Sequence, residues 1–153
     1  MTEPQAPGAQ QRVDRTPRGT RRASRSLAVQ GLYQWLLAGE DAGVIDAFLH
    51  EQEAYARCDQ PYFDQLLHGT IREADNLRLR FVDQLDRPVR ELSPVEHAIL
   101  LLATYEFVHS PQVPYRVVIN EAVELGKSFG GTDGHKYING VLDKLAAILR
   151  PHG

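Results

Sequence analysis

Between Lys127 and Tyr137 the chain reads KSFGGTDGHKY, with two cations and two aromatics on either side of a short Gly-rich turn. The cations Lys127 and Lys136 seek phosphates, and the rings of Phe129 and Tyr137 offer faces to unpaired bases. Together these are the forces that hold a single-stranded nucleic acid. The same residues also fit a helix–helix corner, with Phe129 and Tyr137 in the core and Thr132 or Asp133 capping the next helix. A second basic stretch lies at the start. Arg12, Arg15, Arg18, Arg21, Arg22 and Arg25 face only Glu3 and Asp14 in the first 25 residues. This arm carries +4, so the remainder carries −7 of the net −3. Such an arm reads as a tether for nucleic acid, less readily for an anionic membrane surface, or as a solvated tail kept for solubility.

Catalytic spacings are missing. Gly126-Lys127-Ser128 is like the end of a phosphate-binding loop, but Glu121 stands where the first glycine is required. The triplet also lies in a helical pattern whose N–H groups are already committed. The histidines (His50, His68, His97, His109, His135 and His152) form no H-E-x-x-H pair. No serine sits in a G-x-S-x-G turn, and no histidine neighbours the single cysteine, Cys58. Glu51 and Glu53, like Glu121 and Glu124, read as solvated helix faces. The expectation is a non-enzyme with no metal and no cofactor. One cysteine excludes an intramolecular disulfide, and no apolar run approaches the roughly 20 residues needed to span a bilayer. A cytoplasmic protein with no membrane association is expected.

The elements that must position these residues follow from periodicity. At 153 residues with 42% apolar side chains, the chain suits one compact domain or two small subdomains sharing a core. Residues 1–20, rich in Pro, Gly and Arg, cannot offset the entropy of ordering and are expected to be a disordered arm. Thr20 to Arg25 should form the hinge into a first helix running from about Ser24 to Ala38 and ended by Gly39. A second helix is expected over Val44 to Ala56, with Ile45, Phe48, Leu49 and Tyr55 on one face. A third should open at Asp59-Gln60-Pro61 and run to Leu85, long enough to break at Gly69 or Asn76. Arg87-Pro88 divides an N-terminal subdomain (21–88) from a C-terminal one (89–153). Ser93-Pro94-Val95-Glu96 has the form of a capping box. The HAILLLATYEFV run behind it is apolar almost all round and should be central. After the HSPQVP turn, the last two helices flank the Gly-rich turn. About seven helices and no strand alternation make an all-α protein.

One further observation comes from likeness. RRASRSLAVQGLYQW, PYFDQLLHG, LSPVEHAILLLATYE and VPYRVVINEAVELGKSFGGTDGHKYINGVLDK, in that order, resemble the family of the bacterial transcription antitermination factor NusB, from about Arg21 to Pro151. The resemblance implies two packed three-helix bundles and an RNA-binding protein. It also implies the partners: boxA RNA of ribosomal RNA operons, the ribosomal protein NusE, and the RNA polymerase antitermination complex. Carried over by motif, the RNA contacts fall on Arg21, Arg22 and Arg25, then on Lys127, Phe129, Asp133, Lys136 and Tyr137. The protein-partner contacts fall on Tyr33 and Glu96, the latter shared with the capping box. The family includes monomers and homodimers. Two departures stand out: Ala23 replaces a frequent arginine, and Gly134 replaces the more usual serine. A fused methyltransferase form of the family does not fit a chain of this length. Two other readings stay open, a helical protein-interaction module with a solubility tail, and a helix-turn-helix DNA binder whose recognition helix would begin HKYING.

Overall fold

The computed structural model describes residues 19–129 and 133–153, which form eight α-helices: α1 (Arg21–Ala38), α2 (Ala42–His50), α3 (Glu53–Arg57), α4 (Gln60–Arg72), α5 (Ala74–Phe81), α6 (Pro94–His109), α7 (Tyr115–Phe129) and α8 (Gly134–Leu149). Among the described residues no strand forms, and one isolated bridge pairs Thr20 with Cys58. The disorder expected for residues 1–18 and a cap from Thr132 lie outside the described residues.

The helix α6 organises the packing. Every residue from Ala98 to Phe107 is buried. The helix packs against α1, α4 and α5 on one side and α7 and α8 on the other. The result is two helical bundles that share this central rod and one continuous core. Its N-terminus is fixed by the expected capping box. The N–H of Glu96 donates to Ser93 Oγ at 3.1 Å, and the N–H of Ser93 donates to Glu96 Oε1 at 3.2 Å.

The first helix begins earlier than its apolar pattern indicates. Thr20 is the N-cap, its hydroxyl accepting from the N–H of Ala23. The TRRASR stretch is therefore the first turn of α1 and not a hinge. It is stitched to the α3–α4 junction, with Thr20 N–H donating to Arg57 O, Asp59 N–H to Thr20 O, and Ser24 Oγ to Asp59 O at 2.7 Å. Gly19 makes the approach feasible. Its φ is +65°, and a Cβ there would collide with the Arg57 carbonyl. At the other end Gly39, also at φ +65°, closes α1 by donating to Trp35 O.

Two other expectations are corrected. The predicted second helix is two, broken at Glu51–Gln52, and Phe48 points outward and not into the core. The long third helix breaks at Glu73, between the two expected positions. Gly69 is no hinge; it is the site where the Tyr105 ring of α6 presses against α4, leaving no room for a Cβ.

Candidate nucleic-acid interface

One corner of the molecule gathers most of the candidate residues. There the last turn of α7 meets the first turn of α8: a Cβ on Gly126 would sit 3.1 Å from His135 Cα. The start of α6 adjoins them, since Glu96 Oε2 would lie 3.3 Å from a Cβ on Gly134. Helix α1 closes the corner. Val29, Gln30, Tyr33 and Gln34 of α1, Val95 of α6 and Phe129 of α7 line a groove of about 350 Å³. The RNA candidate Phe129, 38% exposed, and the partner candidate Tyr33 thus share one apolar groove.

The polar candidates beside it are open to solvent. Asp133 forms no side-chain cap on α8. Its carboxylate instead lies 3.5 Å from Lys136 Nζ, with side-chain exposures of 79% and 74%. Lys127 is exposed and 3.4 Å from Glu124. Exposed ion pairs of this kind contribute little to stability, so these charges are free to exchange partners. Lys136, Gly140 and Lys144 follow at four-residue intervals on the exposed face of α8. With Tyr137, Gln84, Asp86 and Val141 they wall a cleft of about 200 Å³. Lys144 was absent from the expected set, although K-x3-G-x3-K is legible as one helical stripe.

Tyr137 is placed differently from Phe129. The Arg87 guanidinium covers its ring at 4.1 Å, and its hydroxyl accepts from the N–H of Asp86 at 3.4 Å. Burial raises the Tyr137 pKa. One face of the ring is covered by that cation.

Each of the three arginines has a carboxylate partner within the protein. Arg21 lies 4.0 Å above the Tyr62 ring and 3.7 Å from Asp59. Arg22 projects into solvent yet donates twice to Glu121, Nε at 3.1 Å and Nη2 at 2.7 Å. The Arg22 hydrogen bonds lower the Glu121 pKa. Arg25, expected on the RNA face, is 5% exposed. Its Nε donates to Glu106 Oε1 at 2.9 Å and its Nη2 to Oε2 at 2.9 Å. Burial opposes the Arg25 charge, and the Glu106 contacts outweigh it, so its pKa is raised. The Tyr62 hydroxyl also donates to Glu106, and burial beside that carboxylate pushes the phenol up to about 12. Composition and the family motif both group Arg25 with its neighbours, whereas helical phase turns position 25 inward.

The arrangement defines a class: an all-helical double bundle with an apolar groove and an exposed cation–aromatic edge at one corner. The NusB family model matches residues 22–147. Transcription antitermination protein NusB of Ralstonia nicotianae is 58% identical over 134 residues, covering 88% of this chain and 86% of the relative. The protein of the same description from Bordetella pertussis is 57% identical over 137 residues, covering 87% and 89%. The solved structure of T. maritima NusB superposes with a TM-score of 0.72 at 28% identity, covering 82% of this chain and 89% of that one. A structure of antitermination factors NusB and NusE in complex with dsRNA matches with a TM-score of 0.76 at 24% identity, covering 84% and 96%, and supports the same fold. The chain belongs to the NusB family. Among the described residues, no helix is long and apolar enough to cross a membrane.

Proposed function

We propose that this chain is a non-catalytic, cytoplasmic transcription antitermination factor. It binds boxA-type single-stranded RNA together with the ribosomal protein NusE, as part of the antitermination complex on RNA polymerase. The observation that carries this reading is the shared corner. Lys127, Phe129, Asp133 and Lys136 flank one turn, and the groove beside it runs from Phe129 to Tyr33. In this assignment the lysines neutralise phosphates, Phe129 stacks on a base, and Asp133, released from Lys136, accepts from base amino groups. Tyr33 and the rim at Glu96 receive the protein partner, and the acidic body suits a basic ribosomal protein. Arg21 and Arg22 reach RNA by exchanging Asp59 and Glu121 for phosphates, whereas Arg25 anchors α1 from within.

The neutralised arginines favour a second reading, a protein-interaction module whose basic arm serves solubility only. One experiment separates the two. Fluorescence anisotropy of labelled boxA-type and scrambled RNA is followed with and without purified NusE, for the full chain and for a chain lacking residues 1–18. Selective boxA binding strengthened by NusE supports the first reading. Equal, weak binding of both RNAs with NusE binding intact supports the second.

A further inference from the structure

We propose that Asp46, Asp64 and His68, with His50 beside them, form a binding site for a divalent transition-metal ion, zinc foremost, that clips α2 to α4. Each helix contributes an Asp and a His four residues apart, Asp46 and His50 from α2, Asp64 and His68 from α4. Residues at that spacing share a helix face, and here the two faces meet. Asp46 Oδ1 lies 3.0 Å from His68 Nε2, Asp46 Oδ2 lies 3.3 Å from His50 Nε2, and His50 Nε2 lies 3.8 Å from Asp64 Oδ1. One ligand atom each from Asp46, Asp64 and His68 falls within 4.8 Å of the other two. Three donors within mutual reach are the number of protein ligands that a zinc site with one open position uses.

Three further features point to a cation. The His50 ring is held in place, stacked on Tyr55 with centroids 4.1 Å apart and flanked by Phe63. The carboxylates of Asp59, Glu106 and Glu121 each have an arginine within pairing distance; among the described residues Asp46 and Asp64 have only imidazoles. Mixed imidazole and carboxylate donors suit zinc and its neighbours and not magnesium, which takes oxygen ligands. The half-exposed position gives the ion a route in, and a bound ion would cross-link the helices on either side of α3.

The test uses the untagged full chain, treated with EDTA and then titrated with Zn²⁺, Co²⁺ or Mg²⁺. Expected are one Zn²⁺ per chain, a Tm raised by Zn²⁺ and not by Mg²⁺, and the visible absorption of tetrahedrally coordinated Co²⁺. His68→Ala should weaken Zn²⁺ by at least about tenfold, and the exposed Asp64→Asn should also weaken it, with metal-free helicity unchanged in both. His135→Ala should leave Zn²⁺ binding as it was. Zn²⁺ binding that survives Asp46→Asn combined with His68→Gln would overturn the proposal, as would a Tm indifferent to a large excess of zinc.

Discussion

Arg25 and Glu106, 81 positions apart in the chain, form a two-pronged ion pair in the interior where α1, α4 and α6 cross. The Tyr62 hydroxyl completes the carboxylate's partners, and Arg25 Nη1 reaches to 3.7 Å from Glu121, which Arg22 also grips. A run of arginines that composition presents as one basic arm is therefore divided by helical phase. Arg25 locks the two bundles together, and only its neighbours face outward.

Removing one partner of this pair leaves a buried charge without compensation. Arg25→Met and Glu106→Leu should each cost about 3–5 kcal/mol. The double variant Arg25→Met, Glu106→Leu should lose clearly less than the two single losses combined. Urea denaturation of the four proteins checks this. Additive losses would mean that the pair is not coupled.

The fold was largely legible because its signals are local. The Ser93 capping box, Gly39 and the all-round apolar run of α6 each state a boundary or a burial in a few residues. The failures arise where the cause is distant. The start of α1 depends on Thr20 being held by Arg57 and Asp59, and no periodicity upstream of Ser24 announces it. Glu106 stands in an apolar run, and its burial follows from partners on α1 and α4. The candidate site is legible only in its local part. Candidates beside the α7–α8 turn stand out by their types, but Tyr33 sharing a groove with Phe129 requires α1 to be folded across. The Asp46–His50 and Asp64–His68 pairs do not follow H-E-x-x-H spacing, and their meeting is tertiary.

Tyr33 and Ser93 separate partner binding from folding. Tyr33→Ala removes part of the groove wall and should weaken NusE binding while leaving Tm nearly unchanged. Ser93→Ala breaks the capping box and should cost about 1 kcal/mol with NusE affinity retained. Calorimetric titration and thermal melts of both variants check the division, and a Ser93→Ala protein of normal stability that cannot bind NusE would refute it.

Arg150, just beyond α8, ties the chain end to α6. It donates to the carbonyls of Glu106, Phe107, Ser110 and Val113 at 2.9–3.3 Å. A cation on the last carbonyls of a helix satisfies acceptors and complements the dipole. Arg150→Ala should destabilise by about 2 kcal/mol, and Arg150→Lys should recover only part. A melt unchanged by Arg150→Ala would show that these bonds add nothing.

His97 makes stability depend on acid. Its Nε2 accepts from Arg78 Nε at 2.9 Å, which requires a neutral ring. Burial, with the Arg78 charge, lowers its pKa from 6.5 to about 4. The unfolded chain then binds the proton more readily than the folded one. Stability from this group is complete above pH 6.5 and declines as pH falls toward about 4. His97→Gln, whose carbonyl can still accept from Arg78, should flatten that part of a Tm-against-pH curve. An identical slope in the variant would remove His97 from the acid response.

The central claim, that RNA is gripped at the edge formed by Lys127 and Lys136, is tested most directly by the salt dependence of boxA binding with NusE present. Each phosphate neutralised on a single strand contributes about 0.7 to the slope of log affinity against log salt. The Lys127→Ala, Lys136→Ala double variant should therefore lose about 1.4 of that slope while its Tm and NusE affinity stay at the parent values. A folded double variant with the parent's slope and affinity would contradict the assignment and put the RNA elsewhere on the molecule.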